Sequence, residues 1–122
     1  MFFIRKNSDS KETLSPDKFQ QFLKSCEIYI DNLKKQGKLI SAQPIDRDGT
    51  IIYGKKDEWK NAPYNENNEV IGGYYHILAN DLEEAIEIAK ANPEFEFNSD
   101  TRIEIRPIKM KEDSTGFVYP NK

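Results

Sequence analysis

The segment 70–79 reads Val-Ile-Gly-Gly-Tyr-Tyr-His-Ile-Leu-Ala, and it constrains the fold more than any other part of the chain. Successive side chains of a strand point to opposite faces of its sheet. Tyr74 and His76 are therefore expected on one face, with Tyr75 and Ile77 on the other. Because both faces carry large side chains, this strand needs cover on both sides.

A long amphipathic helix is predicted over 16–36. Ser15 is a suitable N-cap, Pro16 fits the first helical position, and Gly37 can adopt the left-handed conformation that ends a helix. Between these signals, apolar side chains recur at three- and four-residue spacing and form one stripe. The stripe consists of Phe19, Phe22, Leu23, Cys26, Ile30 and Leu33.

Shorter elements complete the prediction. Strands are expected at 2–5, 39–43, 50–53 and 102–106, and a second helix is expected between a cap at Asn80 or Asp81 and a stop at Asn92-Pro93. Pro107 cannot donate a hydrogen bond to a neighbouring strand, so the last strand is expected at an edge. The order β-α-β, insert, β-α-β predicts an α+β class with a ferredoxin-like βαββαβ sheet and both helices on one face.

Two helices cover only one face of such a sheet. The other face would expose several hundred Å² of apolar surface, which soluble monomers seldom do. We therefore expect a homodimer in which two sheets face each other as a dimeric α/β barrel. Residues 1–108 form the predicted domain, with an insert at about 45–69, and 109–122 form a C-terminal tail.

Three stretches of the chain resemble a known family. They are Asn61-Ala62-Pro63-Tyr64, then Glu69-Val70-Ile71-Gly72-Gly73-Tyr74-Tyr75, then Asp81-Leu82-Glu83-Glu84-Ala85. Together they resemble the DGPF-type branch of the YCII-related family, as does the final strand around Arg102. The resemblance implies the dimeric ferredoxin-like barrel and no single agreed activity.

The resemblance also has two departures. Asn61 and Ala62 stand where the family usually has Asp-Gly. Shorter relatives are thought to use a histidine of the first helix with an aspartate as a dyad, and an ungapped count puts that position at Cys26, so the dyad is absent here.

The charge balance and the number of cysteines limit which partners and which cellular compartment are expected. The formal net charge is −3, from 18 basic and 21 acidic residues. Nucleic-acid binding rests on a basic surface, so no nucleic-acid partner is expected. One cysteine allows no intrachain disulfide, and we expect no signal peptide, no membrane partner and a cytoplasmic location.

His76 is the only histidine and the only candidate catalytic residue. An imidazole is suited to proton transfer near neutral pH. The structural interpretation, which we favour, is a partly buried histidine that is hydrogen-bonded or fills the dimer interface. Tyr74 shares its face, so both could line a space between sheet and helices or between two sheets.

The remaining candidates have structural alternatives. Cys26 lies on the apolar stripe of the first helix, where a buried structural thiol is the favoured interpretation. Gly72-Gly73 is typical of a bulge that bends the sheet. Trp59 and Tyr64 lie on a polar connection and could either close over a pocket or pack into the dimer. Acidic residues after Asp81 are explained by helix capping.

No cofactor and no metal site is expected, since one histidine and one cysteine cannot form a zinc, haem or iron–sulfur cluster. The leading hypothesis is a small-molecule-binding protein or cofactor-free enzyme with a pocket between sheet and helices. The expected lining is Tyr74, His76, Tyr64, Cys26 and Trp59. The alternative is a non-catalytic interaction module that acts through its dimer surface and the tail aromatics Phe117 and Tyr119.

Overall fold

The computed structural model describes residues 1–7, 13–63 and 69–120. These residues form a mixed α+β fold. In chain order the elements are β1 (Phe2–Lys6), α1 (Pro16–Lys35), β2 (Leu39–Pro44), β3 (Thr50–Tyr53), β4 (Lys60–Pro63), β5 (Val70–Ile77), α2 (Leu82–Lys90), α3 (Glu94–Phe97) and β6 (Arg102–Ile105).

Four of the strands form one sheet in the order β2-β5-β1-β6, and each neighbouring pair is antiparallel. The predicted β-α-β, insert, β-α-β order is thus present, and β6 lies at an edge as Pro107 predicts. The insert contributes β3 and β4, which among the described strands pair only with each other. The described part of the single chain contains no closed barrel, so the dimeric barrel remains a prediction.

The helix termini follow the predicted capping signals. Ser15 Oγ accepts a hydrogen bond from the Lys18 amide at 3.2 Å and so satisfies one free donor of the first turn. Gly37 follows the helix with a φ of 70°, the left-handed conformation that glycine adopts without strain. Asp81 is the cap of α2, and its carboxylate accepts from the Glu84 amide at 2.8 Å.

The core lies between one face of the sheet and the two longer helices. Phe2 and Ile4 of β1 are 1% and 2% exposed and pack with Tyr75 of β5. α1 and α2 cover these residues with apolar side chains that repeat at helical spacing. The core positions of the helices are Tyr29, Leu33, Ala85, Ile88 and Ala89.

Two elements differ from the prediction. The sequence predicts no regular element between 53 and 70 or between Pro93 and the last strand, but β4 lies in the first interval and the short helix α3 in the second. The sequence of β4, Lys-Asn-Ala-Pro, has poor strand propensity, and its pairing with β3 overrides that preference. α3 has only four residues, which is too short to show a helical period.

The predicted glycine bulge is confirmed. The pairing of β1 with β5 shifts where Ile4 faces Gly73 and Arg5 faces Ile71, which leaves Gly72 as the extra residue. A Cβ atom at Gly72 would lie 3.0 Å from Lys6 Cε, so a larger residue would press on that side chain.

The tail folds back on itself after the sheet ends. A β-bridge joins Lys111 to Val118, and the Tyr119 amide donates to the Met110 carbonyl at 2.8 Å. The rings of Phe117 and Tyr119 meet edge to face with centroids 5.3 Å apart. Among the described residues, no helix combines the length and the apolar character that a membrane crossing requires.

Candidate functional site

The register of β5 determines which side each candidate occupies. Tyr75 is paired with Phe2 and belongs to the core on the helix side. Tyr74 is paired with Phe3, and His76 with Ser41, on the opposite side of the sheet. We call this opposite side, which no described helix covers, the open face.

This register changes where a pocket can lie. The space between sheet and helices beside β5 is filled by Tyr75, whose ring meets that of Tyr29 with centroids 5.7 Å apart. Tyr74 therefore does not face the space between sheet and helices, where the sequence predicts the pocket. The reason is the strict alternation of side chains along a strand.

A first concavity, the sheet groove, lies on the open face. It has a volume of about 530 Å³. Its floor is apolar and consists of Phe3, Ile71 and Tyr74, and the segment 45–51 forms its wall and rim. The Ile45 amide donates to the Gly72 carbonyl at 2.9 Å, which holds the start of this segment against β5.

A second concavity, the end cavity, lies where β5 ends and the chain continues into α2. Its volume is about 550 Å³. His76 is its only imidazole, and Asp81 and Arg106 contribute charged groups. Most of the remaining lining is apolar and includes Ile40, Leu78, Leu82, Ile108 and Met110.

His76 is partly buried in this lining. Within the described ranges 1–7, 13–63 and 69–120, its imidazole makes no hydrogen bond and no ion pair. Buried and partly buried polar groups of proteins usually have a partner. The ring nitrogens of His76 are therefore available to a molecule in the end cavity.

Asp81, by contrast, is already engaged. Its carboxylate caps α2 through the Glu84 amide. Arg106 is exposed, and its Nε lies 3.8 Å from a Glu104 carboxylate oxygen. The cation of Arg106 thus retains most of its hydrogen-bonding capacity, since a guanidinium carries five N–H donors.

An ionic network of arginine and glutamate side chains occupies the other end of the open face. Arg5 forms ion pairs with Glu69 and, at 2.6 Å, with Glu104. Arg102 forms a second ion pair with Glu69, whose side chain is only 11% exposed. Arg106 also lies 3.8 Å from Glu104, so three positive side chains share two carboxylates and every charge of the network has a partner of opposite sign.

Cys26 lies on the helix side, away from both concavities. Burial, with a smaller contribution from the Glu94 carboxylate, raises the pKa of its thiol from 9.0 to about 12, although the nearby Lys6 ammonium acts to lower it. A thiol in this state is protonated near neutral pH and is a poor nucleophile. The favoured interpretation of Cys26 as a structural thiol agrees with this environment.

Trp59 lies outside both concavities as well. It precedes β4 and lines a small cleft of the β3–β4 hairpin with Ile52. Tyr64, the fifth predicted lining residue, lies outside the described residues. The described candidates therefore lie in four separate places: Tyr74 in the sheet groove, His76 in the end cavity, Trp59 on the hairpin and Cys26 on α1.

Sequence reasoning missed a buried ion pair. Lys6 Nζ lies 3.1 Å from Glu94 Oε2, and both residues are less than 10% exposed. Asn98 donates to the same carboxylate at 3.0 Å, and the Lys6 ammonium lies 5.7 Å from the centre of the Phe22 ring. The pair ties α3 to β1. The sequence contains a signal for the burial of Lys6, because this residue continues the two-residue alternation of the core residues Phe2 and Ile4.

Residues 1–7, 13–63 and 69–120 contain no group of three or more histidine, cysteine or acidic side chains arranged to hold a metal ion.

The family model of the YCII-related domain matches residues 1–109 of the chain. The chain belongs to the YCII-related family. No curated protein is similar enough to this YCII-related chain to count as a match. The match ends before the folded tail, so both concavities, except for Met110 of the end cavity, are built from the family domain.

Proposed function

We propose that this YCII-related protein binds a small molecule in the end cavity and works as a homodimer through its open face. Within the family we assign it to the DGPF-type branch, on the stretches around Pro63, Gly72 and Leu82. The observation that carries the ligand proposal is His76, a partly buried imidazole without a partner in a mostly apolar cavity.

The size and composition of the end cavity suit a small ligand. Ligand sites commonly have volumes of roughly 300–1,000 Å³, apolar walls and a few convergent polar groups. The end cavity has a volume of about 550 Å³ and meets this description. His76 and Arg106 are its groups with unused capacity for polar contacts, because the Asp81 carboxylate already caps α2.

These groups suggest the chemistry of the ligand. The guanidinium of Arg106 only donates hydrogen bonds, and it binds carboxylates well. The ligand we expect has an apolar body against Leu82, Ile108 and Met110 and an anionic or acceptor group near Arg106. If the protein is an enzyme, His76 is the group that transfers a proton, in a reaction that needs no cofactor.

The homodimer is supported by the open face. Phe3, Ile71 and Tyr74 form an apolar patch there, beside the ionic network around Arg5 and Glu69. A two-fold interface brings each surface against a copy of itself, so uncompensated charge would be repelled. Charges that are already paired within one subunit avoid this repulsion. The cytoplasmic location and the lack of a nucleic-acid partner remain predictions.

A thermal-shift screen of small carboxylic acids and other metabolites tests the ligand proposal. A ligand at a hundredfold excess over its Kd stabilises the folded state by about 2.7 kcal/mol, which raises the Tm by several degrees. His76→Ala is expected to weaken the hits roughly tenfold, the effect of one lost hydrogen bond. If no compound stabilises the wild type, the proposal fails.

A pair of leucine substitutions locates the binding site. Leu82 and Leu23 are both exposed helix residues, at 59% and 44%, but only Leu82 lines the end cavity. Leu82→Arg is expected to abolish the thermal shift of the hits, while Leu23→Arg leaves it intact. Equal loss in both variants would mean that the hits bind elsewhere.

Sedimentation equilibrium tests the homodimer. The chain mass is 14.2 kDa. We expect twice this mass at micromolar concentration, because the apolar patch of the open face requires cover. A mass of 14.2 kDa at all accessible concentrations would contradict the homodimer and leave the ligand proposal standing.

A second function is suggested by the tail. Phe117 and Val118 are 57% and 69% exposed, yet the tail is locally folded by the Lys111–Val118 bridge. A folded segment with exposed apolar side chains suits a protein partner. Pull-down with the full chain and with a chain lacking 109–122 tests this alternative, and identical, empty recoveries would contradict it.

A further inference from the structure

We propose that the β3–β4 hairpin is an arm that packs into the sheet groove of a second copy of the chain and brings Trp59 into the interface. This inference rests on the homodimer of the proposed function and goes beyond it, because it names the element that each subunit contributes and the site that receives it.

The hairpin lacks the support that two strands need. An isolated two-stranded hairpin is marginally stable at best in water, and stability requires a third strand or packing against another element. Apart from their mutual pairing, β3 and β4 make no extensive contact with any other element of the described chain. Beyond its base at Thr50 and Ile51, the hairpin therefore has little support from the described part of its own chain.

The hairpin is also apolar on both faces. Ile51 and Tyr53 lie on one face, 48% and 51% exposed. Ile52 and Trp59 lie on the other, 69% and 65% exposed. Single exposed apolar side chains are common, but four on one small hairpin form the kind of surface that marks a protein interface.

The hairpin projects from the side of the sheet that faces the proposed dimer. Thr50 and Ile51, at its base, line the sheet groove of the open face together with Tyr74. A second copy that docks on the open face therefore meets the hairpin. An arm on the helix side would have no such contact.

The charges of the two surfaces are complementary. The tip of the hairpin, residues 55–60, carries three lysines and two acids, so its net charge is positive. The rim of the sheet groove carries Asp46, Arg47 and Asp48, so its net charge is negative. In a two-fold dimer each tip can meet the rim of the other subunit, and opposite charges favour that pairing.

The sheet groove of a second copy can receive Trp59 more easily than the sheet groove of the same chain. Trp59 follows the turn at the far end of the hairpin, roughly 13 Å along β3 from Thr50 at a rise of about 3.3 Å per residue. It is not among the residues that line the groove. To enter the groove that its own hairpin base lines, Trp59 would have to break the pairing of β3 with β4.

The fluorescence of Trp59 provides a direct test, because it is the only tryptophan of the chain. Emission and acrylamide quenching of the full chain are measured over a dilution series, and sedimentation at the same concentrations gives the fraction of dimer. We expect blue-shifted, poorly quenched emission in the dimer. On dissociation the emission should shift to the red, and quenching should approach that of free N-acetyltryptophanamide.

A matched pair of substitutions tests the energetic role of the hairpin. Ile52 and Val118 are both 69% exposed, the first on the hairpin and the second on the tail. Ile52→Asp is expected to weaken dimerisation about 30-fold, as for a residue at the centre of an interface, and Val118→Asp to leave the dimer Kd unchanged. Circular dichroism of the two variants checks that both remain folded.

The outcomes separate this inference from the homodimer itself. A dimer in which Trp59 is quenched as fully as the free indole overturns the arm and leaves the homodimer in place. Protection of Trp59 that persists in the monomer also overturns it, because the hairpin would then pack on its own chain. A chain that is monomeric at every concentration overturns both.

Discussion

The two faces of β5 place neighbouring tyrosines in opposite environments. Tyr75 packs against Phe2 and Tyr29 in the core and is 7% exposed. Burial raises its pKa above the ordinary value of a tyrosine. Tyr74 is only partly buried and forms the floor of the sheet groove with Phe3. Two adjacent residues of β5 thus face the packed aromatic core and the concave sheet groove, respectively.

The two faces of the sheet differ in whether they contribute to the stability of the fold or to association and binding. The helix side of the sheet is filled by aromatic and aliphatic side chains and by the buried Lys6–Glu94 pair, so it supplies the stability of the fold. The open face retains the sheet groove, an ionic network and an imidazole with no partner in the described chain, while the end cavity lies at the end of the sheet and is also lined by Phe2 and Ala85 of the helix side. Substitutions on the helix side should therefore change unfolding, and those on the open face should change association and binding.

The largest effect is expected from two adjacent phenylalanines of β1. Phe2 is 1% exposed on the helix side, and Phe3 faces the sheet groove. Phe2→Ala should lower the free energy of unfolding by about 3–5 kcal/mol, because it leaves a cavity in the core. Phe3→Ala should lower it by less than about 1 kcal/mol in dilute protein, since Phe3 is only partly buried. Urea denaturation measures both, and equal losses would contradict the division of the two faces.

A somewhat smaller loss is expected from the buried ion pair. Lys6→Met leaves the Glu94 carboxylate without its cation, and breaking a buried pair in this way commonly costs about 3 kcal/mol. The matched control is Lys90→Met, because its pair with Glu87 is exposed, at 68% and 74%, and exposed pairs contribute little. If the two variants unfold at the same urea concentration, the Lys6–Glu94 pair does not stabilise the helix side.

At neutral pH the smallest effect on stability is expected for Cys26 of α1, which lies on the helix side of the sheet. Its thiol pKa is raised from 9.0 to about 12, so the native state contains less thiolate than the unfolded chain at the same pH. At pH 8.5 the difference in thiolate is roughly a thousandfold, and alkylation by iodoacetamide should be slower by a similar factor in the native state. Comparable rates in the native and urea-unfolded chains would contradict the raised pKa of this partly buried thiol.

The raised pKa of the Cys26 thiol determines whether the folded state gains or loses stability in alkaline solution. A raised native pKa means that the native state holds the proton more tightly than the unfolded chain. The contribution of Cys26 to stability is therefore complete below pH 9 and is lost as the pH rises from 9.0 towards about 12. Cys26→Ala should lose less stability than the wild type over this range, as measured by urea unfolding at each pH.

Much of the fold could be predicted from local signals. The caps at Ser15 and Asp81, the alternation of the strands and the edge position of β6 all appear as the sequence indicates. β4 and α3 could not be predicted, because their residues acquire these conformations from their neighbours and not from their own propensities. Of the candidate site residues, Tyr74 and His76 lie on the same face of β5, as strand alternation predicts, whereas Cys26 and Trp59 line neither the sheet groove nor the end cavity, because their positions depend on tertiary packing.

The sequence by itself determined that β5 is apolar on both faces and that this chain has helices for one face only, since residue alternation and helix periodicity are local properties. Only the tertiary structure decided which face the helices cover, because that choice depends on the register of β5 against β1 and on the bulge at Gly72. That register places Tyr75 in the core, Tyr74 in the sheet groove and His76 in the end cavity. A shift by one residue would exchange the two faces.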